Sequence, residues 1–288
     1  MRVLVTGGLG YIGKFICSCL KNKYDIVSTD CRKPEHIAEK FEYLDITDER
    51  QVKRQLLSIK PDTIIHLAGI KDLNFSQKNK ELTYNINVCG TNNLISVCKD
   101  TGAKMIFLST DYVFDGQKGM YKEEDAVNPQ TYYGFTKVEA EKSISESLDN
   151  YVIIRTGGVF GSYDGAMSPL FSWLLDNLKA VKPVDAYTDV YNTPTPLEIL
   201  GEGMDKVIKT KSTGLFHIAG PKKINRSDFF KKIAKHFGFD QALIRPVKND
   251  STCQSFLRPR DISLDSNKAR MALHCESLEK ADYEYFLR

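Results

Sequence analysis

Short, unbroken apolar runs alternate with longer stretches of helical periodicity through the first 155 residues of the chain. The runs at Arg2–Thr6, Asp25–Thr29, Phe41–Leu44, Thr63–Leu67, Lys104–Ser109 and Tyr151–Arg155 predict strands. Most lack the apolar–polar alternation of a strand with one wet face, as strands of a parallel sheet covered on both sides should. Between them, Tyr11–Asn22, Asp48–Ile59, Asn79–Thr101 and Tyr132–Leu148 predict helices. Strand and helix in strict alternation at this spacing predict an α/β fold, a doubly wound parallel sheet with right-handed crossovers.

After Arg155 the rhythm loosens. Gly157, Gly158, Gly161 and Gly165 precede a predicted helix near Ser168–Leu178, and a Pro-bearing segment then runs through Val184–Pro196. A helix at Leu197–Lys209, a strand at Gly214–Ile218 and an amphipathic helix at Arg226–Phe237 follow, while Pro246, Pro259 and Lys248–Ser255 mark loops. The expected partition is a nucleotide-binding layer over 1–155 and a smaller C-terminal α/β substrate-binding region over 156–288. The chain is expected to return to the first layer near 184–210. The second part should cover the carboxyl ends of the strands, where ligands of such sheets bind.

Composition narrows the class. The 288 residues are 42% hydrophobic and 27% charged, an ordinary globular balance with length enough for a sizeable core. A net charge of +3 gives no footing on a phosphate backbone, so no nucleic-acid partner is expected. The apolar run Val3–Val5 is too short for a signal peptide or a membrane span, so no membrane association is expected either. Seven cysteines show no C-x-x-C pair, and the five histidines, including His36, His66 and His217, show no ligand spacing. Reduced, packed thiols in a cytoplasmic protein without a metal site are the expectation.

The first chemistry lies directly after the first strand, in Thr6-Gly7-Gly8-Leu9-Gly10-Tyr11-Ile12-Gly13. Gly7 permits a tight turn, Gly10 lets backbone approach a pyrophosphate, and Gly13 lets the helix sit close to the sheet. The helix N-terminus then offers free N–H groups and partial positive charge to the anion. This strand–turn–helix context makes the sheet Rossmann-type and predicts NAD or NADP as cofactor. Asp30, at the end of the second strand, is placed to accept from the adenine-ribose hydroxyls and favours NAD. Arg32 and Lys33 follow it and suit a 2′-phosphate, so use of either cofactor is expected.

Tyr133 and Lys137 stand four apart on one face of a predicted helix. A Tyr starts near pKa 10, and a neighbouring Lys ammonium together with an oxidised nicotinamide ring favours the phenolate, making the phenol a usable proton donor to a carbonyl oxygen. Tyr132 lacks that partner, since the residue four on is Thr136. Thr110, at the end of the fifth strand, is the third candidate, its hydroxyl orienting the substrate oxygen.

These motifs, with Asp45-Ile46 after the third strand, Leu67-Ala68-Gly69 after the fourth and Asn87-Val-Cys-Gly-Thr91, resemble the extended short-chain dehydrogenase/reductase family. The run Ser109-Thr-Asp-Tyr-Val-Phe-Asp-Gly116 is similar to the dTDP-4-dehydrorhamnose reductase branch of that family. The resemblance implies that Gly7, Gly10, Tyr11, Ile12, Asp30, Arg32, Asp45, Ile46, Leu67, Ala68, Gly69, Asn87, Tyr133 and Lys137 meet the cofactor. It implies catalysis by Thr110, Tyr133 and Lys137, and a substrate pocket shaped by Asp111, Tyr112 and Gly158. The activity implied is NAD(P)H-dependent reduction of a nucleotide-activated keto sugar. Epimerisation of such a sugar, or a non-catalytic nucleotide-binding regulatory subunit, are the alternatives. Two departures stand out. Gly158 occupies a position where relatives carry a pocket-lining Trp, which should open the site. Phe15 replaces a first-helix Glu that bridges a metal-linked dimer in some relatives, so only a metal-free homodimer stays open.

Overall fold

The chain begins with strand β1 (Arg2–Thr6), helix α1 (Tyr11–Leu20), β2 (Asp25–Asp30), β3 (Phe41–Tyr43), α2 (Glu49–Ile59) and β4 (Thr63–His66). Helices α3 (Leu73–Lys78) and α4 (Lys80–Tyr84) follow, and a π-helical turn over Asn85–Cys89 leads into α5 (Gly90–Thr101). Strand β5 (Lys104–Thr110), helix α6 (Tyr132–Ser147) and β6 (Tyr151–Thr156) complete the first half. Beyond them come the hairpin β7 (Ser162–Tyr163) and β8 (Ala166–Met167), α7 (Pro169–Lys179), β9 (Val184–Tyr187), β10 (Tyr191–Asn192) and α8 (Leu197–Lys209). The last elements are β11 (Gly214–His217), β12 (Ile224–Asn225), α9 (Arg226–His236), β13 (Ile244–Val247) and α10 (Asn267–Leu273). This computed structural model describes residues 1–33, 40–249, 258–279, 282, 283 and 287. His36, Cys253 and the loop expected after Asn249 lie outside them.

Seven strands form one sheet in the order β11-β6-β5-β4-β1-β2-β3, with every pairing parallel. From β1 the chain winds outward through β2 to β3, then crosses back to β4 and winds the other way. The carboxyl ends of β1 and β4 therefore flank the switch point where such sheets bind ligands. The unbroken apolar runs have a direct explanation. Successive side chains of a strand point to opposite faces, and here each face has its own core. Leu4, Ile64, Met105, Phe107 and Ile153 pack on the α2 and α5 side. Val3, Val5, Ile65, Ile106, Val152 and Ile154 share a core with residues of α1, α7, α8 and α9.

Helix α8 lies against α1, and Asp205 ties the two by accepting from Lys23 Nζ at 2.7 Å and the Tyr24 hydroxyl at 2.8 Å. The C-terminal end of α8 is held by the buried Lys104, whose Nζ donates to the carbonyls of Val207, Thr210 and Ser212. An ammonium there satisfies orphan carbonyls and complements the helix dipole.

Three details differ from the sequence expectation. Asn79–Thr101 is helical throughout most of its length but is interrupted by the π turn, and α3 has no apolar periodicity long enough to announce it. Strand β9 pairs outside the main sheet, parallel to β13, and the strand that joins β6 is β11. Pro246, read as a loop marker, sits in β13 opposite Ala186. A two-stranded pair leaves each strand an open edge, where the N–H that proline lacks is not needed. No helix among the described residues is long and apolar enough to cross a membrane, and none of the described cysteines is in a disulfide.

Candidate active site

A cleft of about 590 Å³ opens over the carboxyl ends of β1, β2 and β4. The glycine loop forms one wall through Gly7, Gly10, Tyr11 and Ile12; Asp30, Arg32, Asp45 and Ile46 close one end; Leu67, Ala68 and Gly69 line the other side. The loop fits a dinucleotide on its own geometry. A Cβ on Gly13 would stand 2.2 Å from the Gly7 carbonyl oxygen, so only glycine allows the helix this close to the turn. Gly10 caps α1 without a side chain, which leaves the first-turn N–H groups to an anion in the cleft. The Tyr11 hydroxyl donates to the Gly161 carbonyl at 2.7 Å and pins the loop to the C-terminal half.

Asp30 is already engaged. The Arg32 guanidinium forks onto it, Nε to Oδ1 and Nη2 to Oδ2, both at 2.9 Å. The Leu9 N–H donates to Oδ2 as well, at 3.2 Å. These bonds and the Arg32 charge outweigh burial and hold the carboxyl below its ordinary range. Asp45 uses Oδ1 to accept from the backbone and hydroxyl of Thr47.

Below the cleft, His66 sets the far wall. The Thr91 hydroxyl donates to the Asn87 carbonyl at 2.6 Å, so it accepts from His66 Nε2–H at 3.0 Å. His66 Nδ1 is then the acceptor for the Thr6 hydroxyl at 2.8 Å, and Thr6 accepts from the N–H groups of Leu67 and Ala68. Burial pulls this imidazole down to about 3, so it stays neutral and keeps the tautomer. Asn87, inside the π turn, exchanges two bonds with the Ile70 backbone and donates to the Thr136 hydroxyl. It thereby joins the cleft wall to α6; π turns recur at functional sites because they re-aim side chains in this way.

Thr110, Tyr133 and Lys137 do not line the cleft; they lie at the end of β5 and in the first two turns of α6, which Asn87 joins to the cleft wall through Thr136. Thr131 caps α6 by accepting from Gly134 N–H, which places Tyr133 in the first turn and Lys137 one turn on. The Thr110 hydroxyl meets Asp111 Oδ1 at 3.0 Å and the Tyr112 N–H at 3.2 Å, and the Tyr112 and Tyr133 rings stand edge to face, 6.2 Å apart. Lys137 Nζ sits 3.8 Å from the centre of the Phe107 ring, and burial pulls its ammonium down to about 7 while Glu141 pulls it up. Burial pushes Tyr133 above its ordinary range, Thr110 pulls the other way, and Lys137 is not among the charges acting on it.

A buried ion pair supports α6 from behind. Arg155 donates to both oxygens of Glu141, with Nη2 to Oε2 at 2.6 Å, and the Ser109 hydroxyl donates to the same carboxylate. This locks α6 to the ends of β5 and β6.

Two arginines join the site from the C-terminal half of the chain. Arg258 Nη1 donates to the Tyr112 hydroxyl at 2.9 Å, and Arg226, at the start of α9, acts electrostatically on Asp111. Both lie far along the chain from Tyr112 and Asp111. Arg258 also lines a second cleft, of about 670 Å³, with Arg260 and Tyr191. Gly158 is exposed, with φ +50°, and the Asn192 amide nitrogen stands 2.8 Å from where its Cβ would be. The space expected to open there is therefore occupied in part by Asn192. Among the described residues no group of three His, Cys, Asp or Glu could hold a metal ion.

A glycine-loop parallel sheet with a Thr, Tyr and Lys corner beside its cleft defines the extended short-chain dehydrogenase/reductase class. Within it the chain belongs to the RmlD substrate-binding-domain family, whose model matches residues 1–282. It is 29% identical to a probable low-salt glycan biosynthesis reductase of Haloferax volcanii, across 96% of this chain and 93% of that protein. It is 27% identical to methionine adenosyltransferase 2 subunit beta of Bos taurus, across 93% of this chain and 81% of that one. Among solved structures, dTDP-4-dehydrorhamnose reductase from Bacillus anthracis in complex with NADP superposes with a TM-score of 0.88. That structure shares 27% identity over 99% of this chain and 96% of the other.

Proposed function

We propose that this protein is an NAD(P)H-dependent reductase of a nucleotide-activated keto sugar, most like the dTDP-4-dehydrorhamnose reductases. The observation that carries the reading is the convergence of Thr110 and Tyr133, with Lys137 one turn on, in a buried corner joined to the cleft wall through Asn87. Residues 1–155 form the cofactor layer. The glycine loop holds the pyrophosphate, Asp30 or Arg32 the adenine ribose, Asp45 and Ile46 the adenine, and Leu67–Gly69 the stretch leading inward. The bound cofactor supplies the hydride. Tyr133 gives its proton to the substrate oxygen, Thr110 orients that oxygen, and Lys137 holds the nicotinamide ribose.

Residues 156–288 mainly serve the sugar nucleotide. Arg226 and Arg258 supply cationic charge for a diphosphate next to Tyr112 and Asp111, and the second cleft beyond Arg258 has the volume for the nucleoside. Two measurements separate this reading from its rivals. The purified protein should oxidise NADH or NADPH when given a dTDP-4-keto-6-deoxy-L-sugar. Product without net cofactor oxidation would indicate epimerisation. The relatives named methionine adenosyltransferase 2 subunit beta favour a second reading, a regulatory subunit. Tight cofactor binding with no turnover across a panel of keto sugar nucleotides would support that one instead.

Cofactor choice rests on the Asp30–Arg32 fork. A carboxylate paired with Arg32 is poorly placed to accept two ribose hydroxyls, whereas a 2′-phosphate can draw the guanidinium away. Arg32→Ala should therefore weaken NADPH by about 10- to 100-fold, the worth of a lost charge-assisted bond, and leave NADH binding equal or tighter. Titration of both cofactors by protein fluorescence checks this; equal losses for the two would contradict it.

A further inference from the structure

The Lys137 ammonium is buried without a counter-ion. Lys137 is 7% exposed, and among the described residues its Nζ makes no hydrogen bond or ion pair. The carboxylate one turn along the helix, Glu141, is spent on Arg155 and Ser109. A lone buried ammonium tends to give up its proton, and burial does pull Lys137 down to about 7. What faces the charge is an aromatic ring. Nζ stands over Phe107, 3.8 Å from the ring centre. The negative face of such a ring attracts a cation, most strongly where water is excluded.

The fold holds that ring in place. Phe107 is 1% exposed in β5, with β4 paired on one side and β6 on the other. His66 lies opposite it in β4, and the imidazole tilts against the ring with centroids 5.4 Å apart. The titratable groups facing Lys137 are Glu141 from its own helix and His66 from β4. His66 is neutral, as its bonds to Thr6 and Thr91 require; a charge there would repel the ammonium and compete for the ring. A ring also differs from a carboxylate in what it leaves behind. It covers one side of the ammonium, does not cancel its charge, and leaves N–H donors for the oxygens of a ligand.

Resting on the reductase reading, we propose that Phe107 is a positioning residue for the cofactor: its ring face holds Lys137 charged and in place to donate to the nicotinamide-ribose hydroxyls. No bond is made or broken at the ring, and Phe107 acts on the cofactor only through Lys137. Its effect therefore exists only where Lys137 can carry a proton. A contact made to the charged form raises proton affinity, so losing the ring face moves the deprotonation of Lys137 to lower pH. In the wild-type protein cofactor affinity should be full at low pH and weaken as pH rises through about 7. With the ring face weakened, the same fall should begin earlier.

The test varies the charge on the ring at nearly constant shape. Phenylalanines carrying one, two or three fluorine atoms, placed at position 107 by codon suppression, keep the packing while draining the negative face. NADH is the probe, because its phosphates do not titrate near neutral pH, whereas the 2′-phosphate of NADPH does. By calorimetric titration at pH 7, NADH affinity should fall with each added fluorine, by about 3- to 30-fold across the series, the worth of a desolvated cation–π contact. Near pH 5 the fluorinated proteins should bind NADH as the wild type does. Affinity that stays flat across the series at pH 7, or falls equally at both pH values as lost packing would make it, overturns the proposal. Lys137→Met should abolish the response to fluorine; a response that persists in K137M overturns it too. Turnover is followed in parallel. The expected fluorine series in protein that reduces no keto sugar would sink the reductase reading and leave the ring contact standing, whereas a flat series in protein that does reduce one would leave that reading and remove Phe107.

Discussion

Replacing Tyr133 with Phe should lower kcat for keto-sugar reduction by about 10²- to 10⁴-fold, the usual worth of a positioned general acid. The ring is unchanged in shape, so α6 and its contacts should persist. What disappears is the hydroxyl that would give its proton. The cofactor dissociation constant should move far less, because the glycine loop and the ends of β2 and β4 hold most of that molecule. Because burial lifts the phenol above its ordinary range, the group is a retained proton donor throughout the neutral range. Loss of activity should therefore be as large at pH 6 as at pH 8. A variant with near wild-type turnover would remove Tyr133 from the chemistry.

The second large effect concerns stability. Arg155→Ala should destabilise the fold by about 3–5 kcal/mol, since it strands the Glu141 carboxylate in a site without water. Both side chains are under a tenth exposed, and the pair is bidentate. The charge left behind sits one turn from Lys137, so cooperative unfolding should weaken together with activity. Replacing both partners, Arg155→Met with Glu141→Leu, should recover most of the loss, because apolar groups of similar volume need no partner. Chemical denaturation of the two variants checks this. A single variant costing under about 1 kcal/mol, the scale of an exposed pair, would show that water reaches the carboxylate.

What the sequence revealed and what it concealed follow from the range of the contacts involved. The strands of the main sheet were readable because each contributes alternate residues to two separate cores, so their apolar runs are continuous. The glycine loop and the Tyr133–Lys137 spacing are local patterns: a turn, a helix start, one helical turn. Arg226 and Arg258 are not local. Arg258 reaches Tyr112, and Arg226 acts on both Tyr112 and Asp111, each from far along the chain, and an arginine carries no signal of its destination. Gly157 was legible only as a loop residue, because the atom it accommodates, Asp111 Oδ2, belongs to another strand end. The pairing of β9 with β13 was hidden for the same reason, and a proline in β13 argued locally against a strand. Burial sets the direction of the Tyr133 shift, and the depth at which a phenol is buried is not visible in a local spacing.

The proposed reaction passes hydride from a nicotinamide cofactor to a sugar carbonyl held beside Tyr133. It is tested most directly by supplying NADPH deuterated at the transferred position with a dTDP-4-keto-6-deoxy-L-sugar and analysing the product by mass spectrometry and NMR. The expected result is one deuterium, on the carbon that was the carbonyl, with one NADPH consumed per product. Cofactor bound tightly but never consumed, or product formed without deuterium, would contradict it.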